Sequence, residues 1–315
     1  MTKKEYEELH RIVSDKLGHQ LHVDDLVIGY AYNNNVELYR VKKLCVKKVL
    51  VVRVLNNVGT YYIYPDRLIK IKKMEYQKIN TLFKRDGKNV IIPSQYTCEE
   101  FSYLKDCPWE CTEKVDGTNI RIYVNMVAGE GEEPWFYGVT IKGRTDRAEL
   151  PKKLVKKLES IFFKIDWAKV LPALTPEDTV CIYGEGYGAG IQKCGGKYIS
   201  KDVDFILFDV KVNDWWLKRE DCEDIAKKCN VPMVPLIGYM TIPQAIEFVK
   251  KGFKSKISED KDLNAEGLVL RTTCGLRFRN GERIITKIKY CDFEKFKAIY
   301  GDNPNPEQPD NPNYK

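Results

Sequence analysis

The chain has 315 residues, 43% hydrophobic and 31% charged, with a formal net charge of +7, enough for one large domain and a small one, each with a core. Its apolar runs are broken by lysines within a few residues and none reads as a signal peptide, so no membrane role is expected and a cytoplasmic or otherwise intracellular protein is. Ten cysteines in such a chain argue for reduced thiols, Cys107 and Cys111 lack a second pair at zinc-ribbon spacing, and histidines only at His10, His19 and His22 disfavour hydrolases built on a Ser-His or Cys-His pair.

The charge is unevenly placed. Residues 1–80 hold 15 Lys and Arg against 9 Asp and Glu, a balance of +6 that leaves little of the +7 for the rest. An amphipathic helix is expected from Tyr6, Leu9, Ile12, Val13 and Leu17, stopping at Gly18. Short strands follow at Leu26–Tyr32, Val36–Val41, Val46–Leu55 and Tyr61–Tyr64, joined by Asn33–Asn35 and Asn56–Gly59 turns, so residues 1–75 are predicted to form a small basic β-rich module. Tyr61, Tyr62 and Tyr64 beside Arg40, Lys42, Lys43, Lys47 and Lys48 suit base stacking and phosphate contact. A solvated, lysine-blunted sheet edge explains them equally well.

Residues 76–300 are expected to form the larger domain. Ile120, Ile122, Val124 and Met126 alternate with Arg121, Tyr123 and Asn125, a half-buried strand that fixes the preceding turn, Glu113-Lys114-Val115-Asp116-Gly117-Thr118-Asn119. A lysine on fixed backbone becomes a nucleophile once neutral, and an apolar wall with nearby cations favours that form. Taken alone, the four residues Lys114-Val115-Asp116-Gly117 are better explained by a surface turn with a solvated ion pair. Four further segments change that balance. After a strand from Trp135 to Ile141 comes Lys142-Gly143-Arg144-Thr145-Asp146-Arg147, offering guanidiniums to phosphate or ribose. A helix is expected from Pro151 to about Val170. The strand Ile182–Glu185 then runs into a glycine-rich loop ending at Gln192-Lys193, its terminal carboxylate suited to ribose hydroxyls. Asp204–Val210 is apolar enough for a central strand, with an aromatic available to stack on a base. Helices are expected near Lys218–Lys228 and from Thr241, with Pro243 in its first turn. Ala265–Arg271 and Ile285–Tyr290 close the set, the latter with Lys287 and Lys289 on one face, where two cations need anions or water. Antiparallel strands with inserted helices make the fold α+β, and the polar, proline-rich 301–315 stretch is expected to be disordered.

Together these segments resemble the covalent nucleotidyltransferases, and within them the ATP-dependent RNA ligases of the RNA ligase 2 type. Glu113–Asn119 looks like nucleotidyl motif I, Tyr183–Lys193 like motif III, Phe205–Val210 like motif IIIa, Glu266-Gly267 like motif IV and Lys287-Ile288-Lys289 like motif V. The resemblance spans roughly residues 85–300. It implies an adenylyltransferase domain in which Lys114 attacks the α-phosphorus of ATP to form lysyl-AMP. AMP then passes to an RNA 5′-phosphate, and a 3′-hydroxyl displaces it to join the ends. Lys287 and Lys289 are then catalytic and meet the phosphates. Glu113, Asn119, Arg144, Glu185 and Phe208 contact the nucleotide, with Glu185 on ribose and Phe208, or failing it Phe205, stacked on adenine. Asp116 and Glu266 hold magnesium, or manganese in its place, directly or through water.

Only 26 residues follow Lys289, so neither the OB domain of DNA ligases and capping enzymes nor the helical C-terminal domain of RNA ligase 2 is expected after it. Two other functions fit parts of this pattern. One is an ATP-dependent DNA ligase, and the other a non-catalytic nucleotide or RNA-end binding module, which would have no need of Lys114.

Overall fold

The computed structural model describes residues 14–15, 20–30, 36–45, 48–53, 59–70, 74–127, 135–145 and 148–301. The helix expected over Tyr6–Leu17 lies outside them except at Ser14 and Asp15, where Ser14 bridges Gln20. The Asn33–Asn35 turn, most of the Asn56–Gly59 turn, Lys47, Asp146, Arg147 and the 302–315 tail also lie outside the described residues.

In chain order the elements are β1 (Leu26–Tyr30), β2 (Val36–Leu44), β3 (Val49–Arg53), β4 (Thr60–Ile63), β5 (Leu68–Lys70), β6 (Asn80–Thr81), β7 (Phe83–Arg85) and β8 (Ile91–Tyr96). Then come α1 (Glu99–Tyr103), β9 (Trp109–Lys114), β10 (Thr118–Val127), β11 (Phe136–Gly143), α2 (Lys152–Phe162), α3 (Trp167–Val170), β12 (Thr179–Gly188) and α4 (Gly195–Tyr198). The last are β13 (Val203–Val212), β14 (Trp215–Trp216), α5 (Arg219–Lys228), β15 (Leu236–Met240), α6 (Ile242–Lys251), β16 (Gly267–Thr272), β17 (Ile285–Lys289) and α7 (Tyr290–Tyr300). The fold is mixed α+β with mostly antiparallel sheets. No helix among the described residues is long and apolar enough to cross a membrane.

The chain divides into two compact units, Met1–Tyr76 with Thr118–Gly186 and Asp204–Met233, and Gln77–Gly117 with Tyr187–Val203 and Val234–Lys315. The sequence pattern sets 1–75 apart as a module. The structure instead joins it to the sheet carried by residues 118–186. The cause is β1, which has buried residues on both faces: Val27 packs with Tyr39, Val41, Val49, Val51, Ile63 and Leu68 inside the sheet ordered β4-β3-β2-β1-β5. Leu26 and Ile28, on its other face, pack with Met74, Tyr123, Val127, Cys181 and Tyr183.

The second sheet of this unit is ordered β11-β10-β12-β13-β14. Helix α2 buries Leu154, Leu158 and Phe162, spaced four apart, as one apolar stripe. It ends at Phe162, short of the expected Val170. Trp167 stacks on the Phe162 ring, 6.4 Å between centroids, and its indole N–H donates to the Phe162 carbonyl at 3.2 Å, turning the chain into the separate α3.

In the other unit the sheet is ordered β15-β9-β16-β17-β6. Trp109, Cys111, Leu268, Leu270 and Ile288 line one face and pack with Ile242, Ala245 and Val249 of α6. The start of α6 is set by a reciprocal Thr241–Gln244 capping box with proline in its first turn. The sequence pattern does not reveal α7, which begins directly after Lys289 and buries no residue fully. It is held by the Arg85–Asp292 ion pair at 2.7 Å and an edge contact between Phe83 and Phe293.

Candidate active site

Strands β9, β16 and β17 lie side by side, and their register places Gly267 between Lys114 on one flank and Lys289 on the other. Residues in one cross-strand row share a face, so both lysines stand over the sheet surface opposite the α6 core. Two rows away, Val269 pairs with Thr112 and Lys287, which puts Lys287 on the same face. Gly267 has φ +151°, and a Cβ there would lie 1.9 Å from the Ile288 carbonyl oxygen, so only glycine fits.

Glu266, just before that glycine, bridges the two lysines. Its Oε2 lies 2.5 Å from Lys114 Nζ and its Oε1 2.7 Å from Lys289 Nζ. The sequence leads one to expect an apolar wall and cations around Lys114. The structure gives it a carboxylate, with the second cation on that carboxylate's other oxygen. Desolvation pulls the Lys289 pKa down, but the hydrogen bond and charge of Glu266 outweigh it and leave the ammonium above its ordinary value.

Asp116 follows in the turn after β9. Burial, then the charge of Glu266, raises its carboxyl above the ordinary range against the pull of Lys114 and Lys289. A carboxylate pair so placed forms an all-oxygen donor set suited to a hard cation with water in its shell. Among the described residues no group of three or more His, Cys, Asp or Glu gathers as a metal cage.

Glu113 departs from its expected part. Its side chain is 1% exposed and points away from Lys114. The Ser255 hydroxyl donates to Oε1 at 2.5 Å and the Lys256 N–H to Oε2 at 2.9 Å. Both oxygens therefore anchor the 255–256 segment, and the side chain is a structural tie instead of a nucleotide contact. Burial raises its pKa, and the two hydrogen bonds oppose the rise.

In the first unit, β10 and β12 pair Asn119 directly with Glu185. Asn119 Oδ1 is buried without a hydrogen-bond partner among the described residues. Buried polar atoms are rarely left so, and this one sits in the same row as Glu185. Arg144 is exposed one residue beyond the end of β11. Phe208 is half-buried, with the Tyr76 ring set edge-on at 5.1 Å, and the Tyr76 hydroxyl donates to Asp209 at 2.8 Å. Phe205, the alternative stacker, is excluded. It is fully buried against Phe162 at 5.1 Å, under a Gly184 whose Cβ would lie 2.1 Å from its ring.

Two residues of this unit carry no signal in the sequence pattern. Arg121, fully buried, donates to the Gly143 carbonyl at 2.7 Å and the Tyr123 hydroxyl at 2.8 Å, which makes a charge tolerable there. Tyr76 falls at the junction by sequence, and only its distant partners Phe208 and Asp209 show what it does.

A family model for RNA ligases matches residues 107–289, more than half of the chain and every segment singled out above from Glu113 to Lys289. The chain belongs to the RNA ligase family. Similar solved structures include Naegleria gruberi RNA ligase with PPi, 14% identical with TM-score 0.44, covering 88% of this chain and 100% of that one. A mutant of that ligase with ATP and Mn is 17% identical with TM-score 0.45, covering 84% and 88%. Another, with AMP and Mn, is 16% identical with TM-score 0.42, covering 84% and 87%. Such distant likeness transfers no residue and no ligand. No curated protein matches the chain.

Proposed function

We propose that this chain is an ATP-dependent RNA ligase that joins a 3′-hydroxyl to a 5′-phosphate through lysyl-AMP and RNA-adenylate. The observation that carries this reading is the row Lys114–Gly267–Lys289 with Glu266 bridging its lysines, inside the segment that matches the RNA ligase family. A purely binding protein has no need of a nucleophile in this position.

In this reading Lys114 Nζ attacks the α-phosphorus of ATP. A P–N bond forms, the bond to the bridging oxygen breaks, and pyrophosphate leaves. The attack requires a neutral amine, and the Lys114–Glu266 bond is where the departing proton sits beforehand. The RNA 5′-phosphate oxygen next displaces Lys114 from phosphorus and takes the AMP. The 3′-hydroxyl then attacks the 5′-phosphate, with AMP leaving. All three steps are displacements at phosphorus, so aligned groups and neutralised charge supply most of the acceleration.

Lys287 and Lys289 are assigned to the phosphates, Asn119 and Arg144 to the sugar and phosphate side, Glu185 to ribose and Phe208 to the adenine face. Asp116 and Glu266 would hold magnesium, whose part is to neutralise phosphate charge. The outer face of the N-terminal sheet is assigned to RNA. Lys43, Leu50 and Tyr62 form one row across β2, β3 and β4, Tyr62 is 54% exposed, and the Lys48 ammonium lies 4.7 Å from the Tyr64 ring centroid.

Sealing assays on matched substrates test the reading. Nicked or open RNA carrying a 5′-phosphate should be joined with ATP and magnesium, and faster than the same ends in DNA. Preference for DNA ends would make the chain a DNA ligase, and tight nucleotide binding without joining would make it a binding module.

A further inference from the structure

The residues on both sides of Lys114 are tied to one scaffold. Before it, the Glu113 carboxylate accepts from Ser255 and from the Lys256 N–H. After it, the Asp116 N–H donates to the Tyr198 hydroxyl at 3.4 Å, and the Gln192 side-chain amide donates to the Gly117 carbonyl at 3.1 Å. These attachments converge. The Ser258 hydroxyl donates to the Lys197 carbonyl at 2.7 Å, and the Glu259 and Asp260 N–H groups donate to the Tyr198 and Lys197 carbonyls at 3.0 and 3.1 Å. The Glu259 carboxylate in turn accepts from the Ser200 N–H at 2.8 Å.

The scaffold is stiff. Tyr198 is 1% exposed, with its ring edge-on to Tyr187 at 5.9 Å. Gly195 approaches Gly188 so closely that a Cβ would sit 2.0 Å from the Gly188 oxygen. Gln192 holds φ +56°, which a residue with a side chain keeps only when its surroundings determine it. A short turn between two fixed strands needs no such grip merely to fold. It needs one where the direction of its side chains matters.

We propose that Tyr198 and Gln192 are positioning residues of the nucleophile turn: they fix Val115–Gly117 and so set the aim of Lys114 and Asp116. Neither touches the reacting atoms. This inference rests on the reading of Lys114 as nucleophile. Displacement of a reacting group by about 1 Å costs on the order of a hundredfold in rate, so bonds that hold this turn bear directly on the chemistry of Lys114.

The test uses the full chain with Tyr198→Phe, Gln192→Ala and the double variant. Two readouts are followed: hydrogen exchange at the Asp116 amide, and covalent labelling by α-labelled ATP with its kcat and KM. Removing one hydrogen bond corresponds to about fivefold. Tyr198→Phe should therefore speed Asp116 exchange by about fivefold and slow labelling by about fivefold, with KM for ATP unchanged. Gln192→Ala, at an exposed side chain that leaves folding intact, should slow labelling similarly, and the double variant should lose more than either. Unchanged exchange in Tyr198→Phe, or a loss seen only in KM, overturns the proposal. Labelling that survives in Lys114→Ala would instead overturn the nucleophile assignment, and the exchange measurement would still decide whether Tyr198 holds the turn.

Discussion

The Glu266 carboxylate lies 2.5 Å from the Lys114 ammonium, an ion pair between residues 152 apart in the sequence. Its other oxygen holds Lys289, so one carboxylate governs the spacing of two cations on the same sheet face. Glu266→Ala should therefore cut lysine labelling by about a hundredfold, the scale seen when one charge-stabilising group is removed, and should raise the magnesium needed for half-maximal rate. Its melting temperature should fall as well, because the Glu266 side chain is only 14% exposed and its loss leaves Lys114 and Lys289 without their shared anion, so labelling is compared at a temperature where the variant is folded. Normal rates with normal magnesium dependence would remove Glu266 from the metal assignment.

Gly267 separates the two lysines at φ +151° with the Ile288 carbonyl against its missing side chain. Gly267→Ala should destabilise the chain by about 2 kcal/mol or more, from backbone strain together with the clash. Denaturant unfolding measures it directly. A loss under about 0.5 kcal/mol, the scale of a harmless surface change, would mean β16 shifts to accommodate the methyl.

Glu113 gives a pH dependence whose sign is fixed. Burial holds its folded pKa above the ordinary 4.5. The folded state therefore binds this proton more tightly than the unfolded chain, and the stabilisation it brings is complete below pH 4.5 and is lost as pH rises through the raised folded value. Glu113→Gln removes that titration. Thermal unfolding from about pH 4 to about pH 8 should show the wild type losing more stability across that window than the variant, and parallel curves would contradict the burial assignment.

For the N-terminal sheet, deletion is a poor test. Leu26, Ile28 and Met74 pack with Tyr123 and Tyr183, so removing residues 1–75 should expose that core and unfold the unit. Point changes keep it. Tyr62→Ala with Lys43→Ala and Lys48→Ala should weaken single-stranded RNA binding and leave lysine labelling intact. The fall of log affinity with log salt should become shallower by roughly 0.7 for each phosphate no longer neutralised. Equal affinity and equal slope would return these side chains to a solvated face.

Much of this is legible in the sequence because it is local. Alternation marks β10 as a strand, although its polar face of Arg121, Tyr123 and Asn125 is buried as well; Thr241 with Pro243 marks the start of α6; and Asp116 and Gly117 stand out as a turn, with Lys114 closing strand β9 just before it. Glu113 misleads because its partner Ser255 is 142 residues away, and no local pattern reports a tie of that range. The two-sided burial of β1 is hidden for the same reason: Leu26 and Ile28 read as one strand face until Tyr123 and Tyr183 are seen against them. Phe205 and Phe208 are told apart by distant partners, Phe162 against the Phe205 ring and Gly184, whose missing side chain admits it. The start of α7 at Tyr290 escapes notice because Lys289 caps it without a side-chain cap bond, which leaves no Ser, Thr, Asp or Asn to announce it.

The central claim is that Lys114 is the nucleophile, and one measurement tests it most directly: incubation with α-labelled ATP and magnesium, followed by denaturing electrophoresis. The account predicts label bound covalently to the wild-type chain, acid-labile as a phosphoramidate, and absent from a folded Lys114→Ala variant. Label that persists in Lys114→Ala would contradict it, whereas label taken from GTP in preference to ATP would leave Lys114 the nucleophile and overturn the ATP dependence alone.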